Sequence, residues 1–291
     1  MASNVNSYAS LTELKGILGI TSTTDDVMMR KQLEAASRSI ESYCNRIFYS
    51  YTATKYFNGA VTLWIPDLLS VTTLKTDEDG DGTFENTFDG TAGTGDYILY
   101  GGGLEDSLNL YPRTHIEINP NGDYGSFASG VKRGVEIAGV WGYGDGTSAT
   151  PYVTDTTLNG SVSAGAVTII VTSAANLSAG QTILIVDATT SNEQCYITSI
   201  SSSTLTVERG VNGTSDVAHA TAKQLYYYRY PRDVMQACLD LSVALYQNRT
   251  KQGLQSERIG DYSYTIAGTS LGKSMVESIL ENIRGYKRLR F

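Results

Sequence analysis

The residues with the clearest chemical potential are Asp77, Asp79 and Asp81, at alternate positions in Asp77-Glu78-Asp79-Gly80-Asp81-Gly82. Alternating carboxylates followed by glycine match the first half of a calcium loop, in which hard oxygen ligands converge on the cation. The second half does not follow. Phe88 occupies the position where a bidentate Glu would close the coordination sphere, and both flanks have the pattern of strands rather than helices. A hairpin turn rich in Asp and Gly accounts for the same residues without an ion, so no cofactor or metal is assigned.

Other reactive patterns are sparse. His115 falls in an expected strand and His219 in an expected loop, neither with a Cys, Asp or Glu at metal-ligand or triad spacing, and a solitary histidine is ordinarily structural. Gly101-Gly102-Gly103 lacks the Lys-Ser or Lys-Thr of a phosphate loop and reads as a turn. Cys44, Cys195 and Cys238 are odd in number and far apart, which predicts buried free thiols rather than a disulfide framework. With no catalytic constellation, the expectation is a protein that is not an enzyme.

One charge asymmetry remains. From Lys273 to Phe291 the chain carries Lys273, Arg284, Lys287, Arg288 and Arg290 against Glu277 and Glu281, in a chain of formal net charge -8. The cations either complement the negative pole of a solvated helix end or form a docking arm for an acidic partner; both readings stand at this stage.

The elements that must carry these residues begin with Asp25 to Phe48, the longest stretch with a single helical period. Leu33, Ala36, Ile40, Tyr43, Cys44 and Ile47 share a stripe, Thr24 is the expected N-cap, and Asp25 and Asp26 fall in the first turn. Before it, Ser10 and Glu13 form a capping box over an apolar face of Leu11, Leu14, Ile17 and Leu18, and Gly19 can close that helix (11–18). Short β-prone runs punctuated by Gly, Pro, Asn and Asp predict an antiparallel β section over 52–140. A second texture, with few charges and hairpin spacing, runs from about Pro151 to Tyr228 and predicts a separate all-β sandwich or barrel. Pro231 then opens a helix over 231–249 with Val234, Met235, Cys238, Leu241 and Leu245 on one face. Gln252 to Thr269 reads as a glycine-bearing connection with a short alternating piece, DYSYTIAG, and a last helix over 273–289 presents Val276, Ile279, Leu280, Ile283 and Tyr286. The fold class is therefore α+β, a helical bundle with an antiparallel β section.

The 291 residues allow two domains, and 41% hydrophobic with 18% charged residues describes a globular chain. No run approaches a membrane span, and MASNVNSYAS lacks the regions of a signal peptide, so synthesis in a cytoplasm is expected. The negative charge argues against a dedicated nucleic-acid binder.

These stretches together resemble the head-tail connector (adaptor, or head-completion) proteins of tailed bacteriophages. The resemblance rests on YASLTELKGILGI with DDVMMRKQLEAASRSIESYCNRIF, on IPDLLSVTTLKTDEDGDGTFE, on GVEIAGVWGYG, and on PRDVMQACLDLSVALY followed by SERIGDYSYTI. In that family a strand end like GVWGYG is followed closely by a helix like PRDVMQA, whereas here a long segment intervenes. The resemblance thus implies a connector core of 1–144 and 230–291 with an inserted all-β domain at 145–229. It further implies a structural virion protein assembled in the host cytoplasm, forming a dodecameric ring under the portal. That ring would join the capsid to the next neck or tail protein and line a channel through which genomic DNA passes without specific binding, with no membrane involved. On this reading Ile283, Arg284, Tyr286, Lys287, Arg288, Arg290 and Phe291 form a portal-binding arm whose removal should leave the remaining core folded. The competing class is a calcium-dependent β-rich binding module or adhesin.

Overall fold

Ser10 starts the first helix as its spacing with Glu13 requires: the Ser10 hydroxyl accepts from the Glu13 N–H, and the Glu13 carboxylate accepts from the Ser10 N–H at 2.9 Å. Gly19, left-handed at φ 66°, closes α1 (Leu11–Leu18). In this computed structural model, residues 6–101, 111–144, 151–187, 191–249, 256–259, 262–265 and 269–288 are described.

The long helix α2 (Asp26–Cys44) is shorter than the expected 25–48. Asp25, not Thr24, stands at its N-cap and makes no capping bond, because its carboxylate accepts from the Tyr246 hydroxyl at 2.6 Å instead. Asn45 turns left-handed at φ 50° and ends the helix before Ile47 and Phe48. The buried stripe is Met29, Leu33, Ala36, Ser37, Ile40 and Cys44.

Six antiparallel strands follow: β1 (Tyr51–Phe57), β2 (Thr62–Thr76), β3 (Asn86–Thr87), β4 (Tyr97–Gly101), β5 (Arg113–Ile118) and β6 (Val135–Trp141). Their order is β1-β6-β2-β5-β4, with β3 on β2. Leu63, Ile65, Leu74, Phe88, Ile116, Ile137 and Trp141 are buried in the core of this sheet. Gly142 follows at φ 129°, where an added Cβ would lie 2.1 Å from the Tyr49 carbonyl oxygen, so only glycine lets the strand leave past the segment that joins α2 to β1.

The second sheet has β7 (Tyr152–Thr157), β8 (Thr168–Ile170), β9 (Thr182–Val186), β10 (Glu193–Ser201), β11 (Thr204–Glu208) and β12 (Gln224–Tyr228), ordered β7-β12-β9-β10-β11-β8. A bridge between Leu158 and Val171 joins the extensions of its two outermost strands, rolling the sheet into a barrel. Ile169, Ile183, Ile185, Cys195, Ile197, Leu205 and Leu225 fill it. The barrel therefore has a core of its own.

Helix α3 (Arg232–Asn248) begins just after Pro231 and lays Val234, Ala237, Cys238 and Leu241 on α2, with the Cys238 thiol 3.4 Å from the Ser37 hydroxyl. Leu245, expected on that face, is 44% exposed. Strands β13 (Ser256–Ile259) and β14 (Tyr262–Thr265) pair as a hairpin; β14 falls within the short alternating piece expected in this connection, and β13 was not expected. The last helix, α4 (Thr269–Glu281), starts earlier and stops sooner than 273–289; a 3-10 turn at Arg284–Tyr286 replaces its end. All three cysteines are free and buried, and burial pushes the Cys44 and Cys238 thiols up to about 11. Among the described residues the architecture is α+β, four α-helices with two six-stranded antiparallel sheets and one hairpin.

The barrel meets the remainder through a buried amide network. Asn6 and Asn212 exchange side-chain hydrogen bonds at 2.7 and 3.0 Å, Asn212 also donates to Gln194 at 2.8 Å, and Gln194 donates to the Ser50 carbonyl at 3.0 Å. The Tyr196 hydroxyl donates to Glu34 of α2 at 2.8 Å.

Candidate functional site

The C-terminal residues do not project as an arm. Ile283 is fully buried in the helical cluster beside Cys44, and the Tyr286 ring packs edge-on against Phe48 and Tyr143 at 5.6 and 5.7 Å. The Arg288 N–H donates to the Cys44 carbonyl at 2.8 Å, and its guanidinium donates to Asp67 at 2.7 Å and to the carbonyl of Ile65. Arg284 and Lys287 face outward: Arg284 pairs with Glu281 at 3.0 Å, and the Lys287 ammonium sits 5.0 Å from the Tyr43 ring. Arg290 and Phe291 lie outside the described residues. The expected arm is thus divided into an inward half that completes the core and an outward pair of cations. Its apolar half is an integral part of the helical core, so the expected harmless truncation does not fit this packing.

Arg288 leads into a charged cleft of about 820 Å³ between the end of α2 and strands β1 and β2. At its floor Asp67, 6% exposed, is held by Arg46 at 2.8 Å and Arg288 at 2.7 Å. Burial pushes the Asp67 carboxyl up against the opposing pull of both arginines, and burial likewise lowers Arg288. Arg38 pairs with Glu41 at 2.7 Å. Lys55 lies over the Trp141 and Tyr51 rings at 4.7 and 5.2 Å, donates to the Tyr51 hydroxyl at 2.8 Å, and is lowered by burial. Lys55 feels Asp67 without a close ion pair to it, and the described lining of the cleft has four cations, Arg38, Arg46, Lys55 and Arg288, against two carboxylates, Glu41 and Asp67. Such a surplus can take up carboxylates. Sequence reasoning missed Asp67; the signal was a carboxylate inside the apolar run Leu63-Trp64-Ile65-Pro66-Asp67-Leu68-Leu69, where a buried charge demands partners.

At the far end of β2, Asp77, Asp79 and Asp81 form the expected turn and are joined by Glu85, one oxygen of each falling within 4.8 Å of the others. The chemistry of the set suits a hard cation. The loop, however, also satisfies its own groups. Asp77 accepts the Gly80 and Gly82 N–H groups at 2.6 and 2.8 Å, and Asp81 accepts the Thr83 N–H at 2.7 Å, which holds the Asp81 carboxyl below its usual range.

His219 has neighbours that its sequence context concealed. Its Nδ1 lies 3.3 Å from Asp187 and its Nε2 3.0 Å from Glu193, both buried. Burial opposes ionisation of Glu193, but the Arg209 fork and the N–H groups of Val217 and Gly210 hold its carboxyl below the usual range. This cluster ties the 209–219 loop to β10.

Comparison with known proteins bears on the first helices and strands. The family model of phage gp6-like head-tail connector proteins matches residues 8–74. The matched segment spans α1, α2, β1 and β2 as far as Leu74, and so includes Arg38, Arg46, Lys55 and Asp67 of the cleft. A chain from the neck of an empty GTA particle, computed with C6 symmetry, is similar over 98% of this chain and 91% of its own, with 13% identity and a TM-score of 0.36. Likeness at that level establishes neither fold nor role. No curated protein matches.

Proposed function

We propose that the protein is a structural head-tail connector, a virion neck component with no enzymatic role. The observation that carries this reading is the connector-family match over residues 8–74, which coincides with the helix pair and first strands that organise the helical core. In the finer form of the proposal, twelve copies form a ring beneath the portal, the helices act as its bundle, and the 145–229 barrel is an inserted domain. The ring hands over to the next neck or tail protein. At -8 per copy its lumen would let DNA pass without gripping it. Assembly would take place in the host cytoplasm; among the described residues no helix is long and apolar enough to cross a membrane.

The portal-binding role proposed for Ile283, Arg284, Tyr286, Lys287, Arg288, Arg290 and Phe291 narrows to the outward cations Arg284 and Lys287, together with the terminal Arg290 and Phe291. Ile283, Tyr286 and Arg288 would support that surface from within. The test is co-expression with the portal protein followed by native mass measurement, alongside a search for the chain in purified virions. A ring that co-purifies with portal, and is lost in a salt-dependent manner on Arg284→Glu with Lys287→Glu, supports the reading. A chain that stays monomeric with portal and is absent from virions overturns it.

The convergence of Asp77, Asp79, Asp81 and Glu85 is the one observation that favours a cation-dependent binding module. If that reading held, a chelator would lower the melting temperature and calcium would restore it; the hydrogen bonds within the loop predict an unchanged melt.

A further inference from the structure

We propose that the cationic cleft beside Asp67 is a protomer-protomer interface that receives the acidic 77–85 loop of a second copy of this chain. The inference rests on the ring reading above and names the surfaces that would build the ring.

Three observations converge on it. The first is charge. Among the described residues that line the cleft, Arg38, Arg46, Lys55 and Arg288 outnumber Glu41 and Asp67, while Asp77 to Glu85 carries five carboxylates and no cation. Glu78, Asp79, Asp81 and Glu85 are exposed, so these charges are available to a partner. Close ion pairs hold Asp67 to Arg46 and Arg288, and Glu41 to Arg38, whereas Lys55 feels Asp67 only at longer range and makes no close ion pair among the described residues. Complementary potentials of this kind steer encounter and fix register.

The second observation is placement. Lys55 and Tyr56 are successive residues of β1 and point to opposite faces of the sheet. Lys55 lines the cleft, whereas Tyr56 packs on Phe84 of the acidic loop, ring centroids 5.7 Å apart. Phe84 of the loop and the cleft therefore meet opposite faces of β1. A contact between two unlike patches is head-to-tail, and repeated around an axis it forms a ring when the rotation closes.

The third is an anchor. Trp64, on the rim of the cleft, is 54% exposed, and its ring is held against His115 at 4.7 Å. A fixed, solvent-facing Trp beside a charged cleft is the kind of residue that carries binding energy once a partner excludes water from it.

The test uses the full chain. Asp79→Lys with Asp81→Lys places cations on an exposed loop and should abolish the ring, whereas Glu208→Lys on the barrel should leave it intact; circular dichroism and the melting temperature check that both variants fold. The direct test pairs Asp81→Cys with Lys55→Cys. The native thiols are buried, so mild oxidation should give a ladder of covalent multimers only when both new cysteines are present. Rings that survive the loop reversal, together with no ladder, overturn this interface while leaving the connector reading in place. Loss of portal binding with no effect on the ring would assign the cleft to a different occupant and also overturn it. A wild-type chain that forms no ring under any condition fails both readings.

Discussion

At Gly213 the backbone is left-handed at φ 79°, and an added Cβ would sit 2.0 Å from the Thr52 carbonyl oxygen. This is where the barrel loop runs against β1, with the Thr52 N–H donating to the Asn212 carbonyl at 2.8 Å. Gly213→Ala should therefore lower stability by about 1–3 kcal/mol, read as a shift in denaturant midpoint. Gly160→Ala has positive φ but open space and should cost less; equal effects would mean that the close approach is not what selects glycine. Glu193 gives a pH prediction. Its folded-state pKa is depressed, so its stabilisation is fully present above the unfolded value of about 4.3 and is lost as pH falls through the lower folded value. Melting temperature should hold down to about pH 5 and drop below about pH 4.3. Glu193→Gln should flatten that part of the profile while costing on the order of 1–3 kcal/mol at neutral pH, because Arg209 loses its two-pronged carboxylate partner and keeps Asp216 at 3.1 Å.

The C-terminal element shows how a periodic face acquires a direction. Val276, Ile279, Leu280, Ile283 and Tyr286 keep helical spacing, yet the helix ends at Glu281 because the segment must bend for Ile283 to enter the cluster and for Arg288 to reach Cys44 and Asp67. Ile283→Ala should cost about 2–5 kcal/mol as a core cavity, whereas Arg284→Glu, on an exposed side chain, should stay within about 0.5 kcal/mol. Thermal or chemical denaturation of the two variants checks the contrast. If Arg284→Glu proved the more damaging, the division of the C-terminal residues into inward and outward sets would be wrong.

For the whole molecule, the barrel has its own core but is not loosely attached. Asn6, Ser50, Glu34 and Thr52 all find partners on it, and Tyr228 and Tyr230, just before α3, belong to the helical cluster. Replacing 145–229 with a short Gly-Ser linker should preserve the helical circular-dichroism signal. It should also lower the melting temperature by several degrees, since buried amides lose their partners at about 1–3 kcal/mol each. An unchanged melting temperature would show that the amide network contributes nothing; loss of the helical signal would show that the core cannot fold without the barrel.

Local chemistry in the sequence was enough for the features that depend on near neighbours. The Ser10–Glu13 cap, the Gly19 stop, the α2 and α3 stripes, the change of texture after Pro151 and the Asp77–Asp81 turn all follow from spacing of a few residues, where backbone geometry fixes who meets whom. The tertiary structure decided what lay far apart in the chain. Asp67 meets Arg46 and Arg288, His219 meets Asp187 and Glu193, and Asn6 meets Asn212. None of these pairs leaves a periodic trace, because a buried charge or amide selects a partner by position in space, and only the packed fold brings that partner within hydrogen-bond reach.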